Sequence, residues 1–236
     1  MKPLSVKKSA LCAIIAVSMF LLTGCAASKT SYDMPVSIDQ RARYLFFLHG
    51  TITEMQGAYA RHPRHGTYDY HRMVEAFTKR GFTVISEIRP RDTDIRRYAE
   101  RVARQVTDLI DRGVPPEHVS VVGFSKGGAM TLYVAAMVHH PRVTFVALAG
   151  CGISERPRIA FERFLVASAS DLQGRILSLY DTKDSICGSC EAAFHRAGGN
   201  ISYREIVLHV GRGHGTFYAP RKEWLAPVVE WIEEAG

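Results

Sequence analysis

Six apolar runs recur along the chain, at 44–48, 82–88, 119–122, 143–148, 175–180 and 201–210. Such continuous runs read as strands buried on both faces. The segments between them repeat every three to four positions. Residues 70–79 set Val74 and Phe77 on one face and stop at Gly81, a helix-ending signal. Residues 95–111 carry a stripe of Ile95, Tyr98, Val102, Val106 and Leu109, with Arg97, Glu100, Arg101, Arg104 and Asp108 opposite. Glu100 with Arg104, and Asp108 with Arg112, are spaced to pair along that helix. Residues 126–140 end at Pro141, 191–196 suit a short helix, and 224–233 place Trp224, Val228 and Trp231 on one stripe. Strand and helix in alternation predict an α/β fold: a mostly parallel twisted sheet of about six strands with helices on both faces. In such sheets, sites form beyond the C-terminal strand ends.

Chemistry-bearing residues fall at those ends. Gly123-Phe124-Ser125-Lys126-Gly127 reads G-x-S-x-G, with Gly128 following, between the run at 119–122 and the helix at 126–140. A serine on such a turn is pushed out above the sheet edge, and the flanking glycines avoid collisions. A phosphate loop would need Lys-Ser/Thr after its last glycine, and here the lysine precedes Gly127. A serine hydroxyl needs a base within reach, and the base needs a carboxylate to hold its tautomer. Asp184 follows the strand at 175–180, and His214 follows the strand at 201–210 within Gly211-Arg212-Gly213-His214-Gly215. Asp181 is the rival acid, with a turn or cap as its alternative role. His209, His195, His139 and His140 are the rival bases, on a strand or on helices.

The order Ser125, Asp184, His214, with His49-Gly50 after the first strand, resembles the α/β-hydrolase superfamily over residues 44–234, in a small form without a large cap. The resemblance implies a trimmed sheet, since two edge strands before Tyr44 find no room, and only a helix and short loops over 152–174. It implies an oxyanion hole from the backbone N–H groups of Thr51 and Lys126, a solvated Lys126 side chain, and a loop-shaping His49. The expected activity is hydrolysis of a carboxylic ester through an acyl-serine, with no metal and no organic cofactor. A peptidase, thioesterase or acyltransferase on the same triad, or a non-catalytic envelope lipoprotein, are the alternatives. The stretch 51–69 is long for a loop and would border the pocket. Its Arg61, His62, Arg64 and His65 admit an anionic substrate, although surface decoration is the favoured account of them, and Tyr59 and Tyr68 admit an apolar acyl or aryl site.

The N-terminus changes the setting. Lys2, Lys7 and Lys8 precede an apolar stretch at 11–22 that is too short for an ordinary span. It ends in Leu22-Thr23-Gly24-Cys25, which resembles the bacterial lipobox. That resemblance implies cleavage before Cys25 and lipidation of its thiol; cleavage after Ala27 is the soluble periplasmic alternative. The expected division is a signal at 1–24, a lipidated tether at 25–41 and a hydrolase domain at 42–236. The protein would face the periplasm from a lipid anchor, with Ala26 leaning towards the outer membrane. Loss of the leader lowers the formal charge from +7 to +4, which calls for no nucleic acid. The partners expected are a small-molecule or lipid-like ester and the membrane. Cys187 and Cys190, as C-x-x-C, can close a small disulfide loop in an oxidising compartment, leaving Cys151 a buried thiol. A redox role competes, but the Trp-Cys context of thioredoxin-like proteins is absent, and one such pair is a poor zinc site.

Overall fold

The computed structural model describes Met1, residues 31–199 and residues 201–235. The leader, the lipobox with Cys25 and the tether up to residue 30 lie outside the described residues. In chain order the elements are β1 (Ser31–Tyr32), β2 (Arg43–Leu48), α1 (Thr51–Gln56), β3 (Tyr59–His62), β4 (Gly66–Asp69), α2 (Tyr70–Thr78), β5 (Phe82–Glu87), α3 (Ile95–Asp111) and β6 (Val119–Phe124). There follow α4 (Lys126–Val138), β7 (Thr144–Leu148), β8 (Cys151–Gly152), α5 (Glu155–Ala167), β9 (Gly174–Asp181), β10 (Cys187–Gly188), α6 (Glu191–Phe194), β11 (Ile201–Leu208) and α7 (Lys222–Glu233).

The main sheet runs β1-β5-β2-β6-β7-β9-β11. The six predicted strands pair in parallel, and β1 adds an antiparallel edge on β5. Alternation along each strand splits the core in two. Tyr44, Phe46, Val121, Phe145 and Ala147 face a layer built from α3, α4, α5 and α6. Leu45, Phe47, Val122, Val146 and Leu148 face α2 and α7. The predicted stripes are the buried ones: Tyr98, Val102, Val106 and Leu109 on α3, and Trp224, Val228 and Trp231 on α7. Asp69 and Asp94 cap α2 and α3 by accepting from the N–H of Arg72 and Arg97, which satisfies donors the first turn leaves free. Glu100 pairs with Arg96 rather than Arg104, while Asp108 pairs with Arg112 as expected.

Two expectations need correction. Residues 31–41, read as part of the tether, lie on the domain: Met34 and Ile38 pack against the core, and the Asp39 N–H donates to the Tyr44 hydroxyl at 3.0 Å. Two apolar side chains on a core are enough to dock a polar stretch that has no periodicity of its own. The cysteines also pair differently. The disulfide joins Cys151 to Cys190, with Cα atoms 5.3 Å apart, and Cys187 is the free, buried thiol. The cause is the short β8–β10 ladder, which sets Cys151 opposite Gly188. Cys190, two residues on, then reaches Cys151 on the α3–α4 side, while Cys187 is buried on the α2–α7 side. Burial, aided by the Asp184 charge, pushes the Cys187 pKa up. A thiol held protonated is a poor nucleophile, which removes the redox reading of this C-x-x-C.

Candidate active site

All six parallel strands end on one edge, and the loops there carry the chemistry. Ser125 lies between β6 and α4 with φ 56° and ψ −118°, a left-handed conformation that costs a non-glycine residue free energy. The turn is tight because the strand and helix backbones nearly touch. A Cβ on Gly127 would come within 1.9 Å of the Leu48 carbonyl oxygen, and one on Gly123 within 2.1 Å of the Gly127 carbonyl oxygen.

The three separated residues meet here. The Ser125 hydroxyl donates to Nε2 of His214 at 2.9 Å, and Nδ1–H of His214 donates to Oδ2 of Asp184 at 2.7 Å. A carboxylate only accepts, so it fixes the proton on Nδ1 and leaves Nε2 free to take one from serine. The other Asp184 oxygen accepts from the N–H groups of Ile186 and Cys187, at 2.8 and 3.1 Å. His214 and Asp184 are buried, and Ser125 is half-buried. The rival imidazoles stand apart: His139, His195 and His209 are exposed, and His140 bonds locally to the Arg142 N–H.

Asp181, the rival acid, is buried with another task. Its two oxygens accept from the N–H groups of Lys183, Gly211 and Gly213 and from the Thr216 hydroxyl. Burial works to raise its pKa, but these donors outweigh burial and hold it below the usual value. Asp181 thereby ties the loop after β9 to the loop that carries His214.

Thr51 and Lys126 are the first residues of α1 and α4. Among the described residues neither backbone N–H donates to a protein acceptor, as befits helix starts. Gly50 brings Thr51 close, since a Cβ there would lie 3.2 Å from Ser125 Cβ. His49 is fully buried. Its Nδ1–H donates to the Gly50 carbonyl, and its Nε2 accepts from the Arg89 N–H. That pattern is the neutral imidazole, and burial, then the Arg89 charge, holds its pKa well below the ordinary value. His49 shapes the loop, as expected.

Sequence reasoning missed the charges beneath this loop. Glu54 is buried, with Arg89 Nε 3.4 Å from Oε2 and Lys126 Nζ 2.6 Å from Oε1. The Arg89 guanidinium also donates to the His49 carbonyl and lies over the Tyr98 ring. The Lys126 side chain is therefore not free in solvent but only partly exposed, and it clamps α4 to α1. The available signal was Arg89, a charge at the C-terminal end of β5 where sites form. Tyr68 is another correction: it is fully buried and stacks on Phe124, so it is core rather than pocket wall. Tyr59 is exposed beside His71.

Two recesses flank the triad. One of about 440 Å³ opens at Lys126, Ala129 and Gly150, with Leu132, Phe161 and Phe164 in its walls. The other, of about 370 Å³, includes His214 itself. Among the described residues there is no cluster of side chains suited to a metal ion.

The arrangement has the α/β-hydrolase fold, as solved structures agree. An acetyl xylan esterase from Paenibacillus sp. R4 is 14% identical, with 82% of this chain and 74% of that chain covered at a TM-score of 0.53. A Klebsiella pneumoniae subsp. pneumoniae MGH 78578 protein, provisionally described as a dienelactone hydrolase, is 15% identical over 85% of this chain and 90% of that one, at 0.56. Acetyl xylan esterase 1 from Thermoanaerobacterium sp. JW/SL YS485 is 16% identical over 85% and 77%, at 0.52. At such identities the likeness is one of fold. No curated protein matches the chain in sequence. The model of the phospholipase/carboxylesterase family matches residues 73–185, a span that holds Ser125 and Asp184 and stops before His214. In fold, and in sequence over that span, the chain is similar to the α/β-hydrolase superfamily. Hydrolysis of an ester is the chemistry that match supports.

Proposed function

We propose that this protein is a serine hydrolase that cleaves carboxylic esters through an acyl-serine intermediate. Ser125 Oγ attacks the ester carbonyl carbon while His214 Nε2 takes its proton. The negative charge that develops on the carbonyl oxygen is held by the N–H groups of Thr51 and Lys126, each such donor being worth about 3 kcal/mol of barrier. Collapse expels the alcohol, which receives the proton from His214. Water then attacks the acyl-serine by the same route in reverse, releasing the acid and restoring Ser125. Asp184 orients His214 and stabilises its cation. The observation that carries this reading is the unbroken hydrogen-bond chain from Ser125 through His214 to Asp184.

A fluorophosphonate probe is expected to label Ser125, and Ser125→Ala is expected to lose labelling and about 10^4-fold or more of 4-nitrophenyl acetate turnover. Labelling at another residue, or an alanine variant that turns over like the parent, sinks the reading.

The same proposal extends to location: a protein anchored by lipid on Cys25 in the bacterial envelope. Its support is the Leu22-Thr23-Gly24-Cys25 pattern, together with a disulfide, which persists in oxidising compartments. No helix among the described residues is long and apolar enough to cross a membrane. Membrane fractionation of the parent against Cys25→Ser checks it, with release of the variant as the expected result.

A further inference from the structure

The recess beside His214 draws its walls from three loops. Arg64 and His65 come from the turn between β3 and β4, Lys183 from the loop after β9, and Arg212 from the loop after β11. The turn is held in place. His65 stacks on His62 at 4.4 Å and sits edge-on to Tyr218 at 5.4 Å, and a Cβ on Gly215 would meet its Nδ1 at 2.8 Å. Arg64, Lys183 and Arg212 are all exposed, and among the described residues none of them pairs with a carboxylate. The acids nearby are Asp181 and Asp184. Both are buried, and their oxygens are taken up by backbone N–H groups, Thr216 and His214. Every solvent-facing charge of this wall is thus positive. His65 feels the surroundings: burial first, then His62, His214 and Arg64, lower its pKa.

Position gives this charge a role. The acyl carbon must sit between Ser125 and the N–H groups at Thr51 and Lys126, on the side of the larger recess. The leaving oxygen must face His214 Nε2, which supplies its proton. The group attached to that oxygen then extends past His214 towards the cations. A recess lined by one sign of charge concentrates ligands of the opposite sign.

We infer that the recess formed by Arg64, His65, Lys183 and Arg212 binds the leaving group, and that the preferred substrate is an ester whose alcohol or phenol half carries a fixed negative charge. The inference rests on the reading of Ser125 as nucleophile and narrows its substrate class. The larger recess, which sets Leu132 and Phe161 among Asp92, Asp94, Arg96 and Arg163, receives the acyl half.

A matched pair of substrates tests it: 4-acetoxybenzoate, with an anionic leaving group, and its neutral methyl ester, each rate divided by that ester's alkaline hydrolysis rate. The parent should favour the anion in kcat/KM by about tenfold at low salt, and the preference should shrink as salt screens the cations. In the variant R64Q/K183Q/R212Q the ratio should fall towards one, whereas Arg104→Gln on the outer face of α3 should keep the parental ratio. Neutral-ester turnover with a ratio near one and no salt dependence in the parent overturns the inference while leaving the hydrolase reading intact. Loss of the preference in Arg104→Gln as well would also overturn it, because net charge and not the recess would then be responsible. Failure of the parent to hydrolyse either ester overturns both readings.

Discussion

Asp181 and Asp184 occupy one turn at the end of β9, yet their carboxylates meet different donors. Asp184 faces the imidazole, and Asp181 faces the backbone of the neighbouring loop. Asp184→Asn should fold and lose about 10^4-fold in kcat, because the amide no longer fixes the tautomer. Asp181→Asn should instead lower stability, by about 1–3 kcal/mol, since an amide nitrogen replaces an acceptor facing buried donors. The sign of the pH effect follows. The folded-state pKa of Asp181 is depressed, so its contribution is present above the unfolded value near ~3.9 and is lost as pH falls through the folded value. Urea midpoints at neutral pH and near pH 3 measure this: the gap between parent and Asp181→Asn should narrow in acid. A constant gap counts against the ionised carboxylate as its source. Sequence alone named both acids, because each lies past the same strand. Choosing between them depends on where residues 211–216 pack, which no local pattern encodes. Glu54 was invisible for a related reason, its partners being 35 and 72 positions away.

The turn between β6 and α4 stores strain that the nucleophile requires. Ser125 sits at φ 56°, where a Cβ is unwelcome. Ser125→Gly and Ser125→Ala both remove the hydroxyl, but glycine also removes the Cβ. The glycine variant should therefore be the more stable of the two by about 1 kcal/mol, read as a higher thermal midpoint; the reverse order would mean the turn is relaxed. The elements around this turn were legible because the six apolar runs and the α3 and α7 stripes record burial directly. The elements missed are those with little burial to record. Between β3 and β4 only Ala60 and Tyr68 are buried, and β1 spans two residues. Such pieces are ordered by what they dock on. For the β3–β4 hairpin that is Tyr68 stacked on Phe124 beside the nucleophile, so the least periodic segment comes to line the site.

At the scale of the whole molecule, the disulfide ties the loop after β7, which borders the larger recess, to the start of α6, which follows the loop carrying Asp184. Its sequence separation is 39 residues, and closing a loop of that length removes enough unfolded-state entropy to stabilise the fold by about 4 kcal/mol. In a domain of this size that corresponds to a thermal midpoint lower by about 10 °C in reductant. Cys151→Ser should show the same drop without reductant, whereas Cys187→Ser should keep the reductant-sensitive difference. Digestion under non-reducing conditions should yield a peptide pair joined through Cys151 and Cys190; a pair joined through Cys187 and Cys190 would contradict the β8–β10 register. The linkage also bears on where the protein works. Made in a reducing cytosol, the chain would forgo this stabilisation across the two loops that frame the triad, so both its stability and its ester turnover at elevated temperature should depend on oxidation. Turnover at 25 °C and near the midpoint, compared with and without reductant, distinguishes the cases. A loss confined to the higher temperature fits a structural clamp, and an equal loss at both would mean that the bridge shapes the site itself.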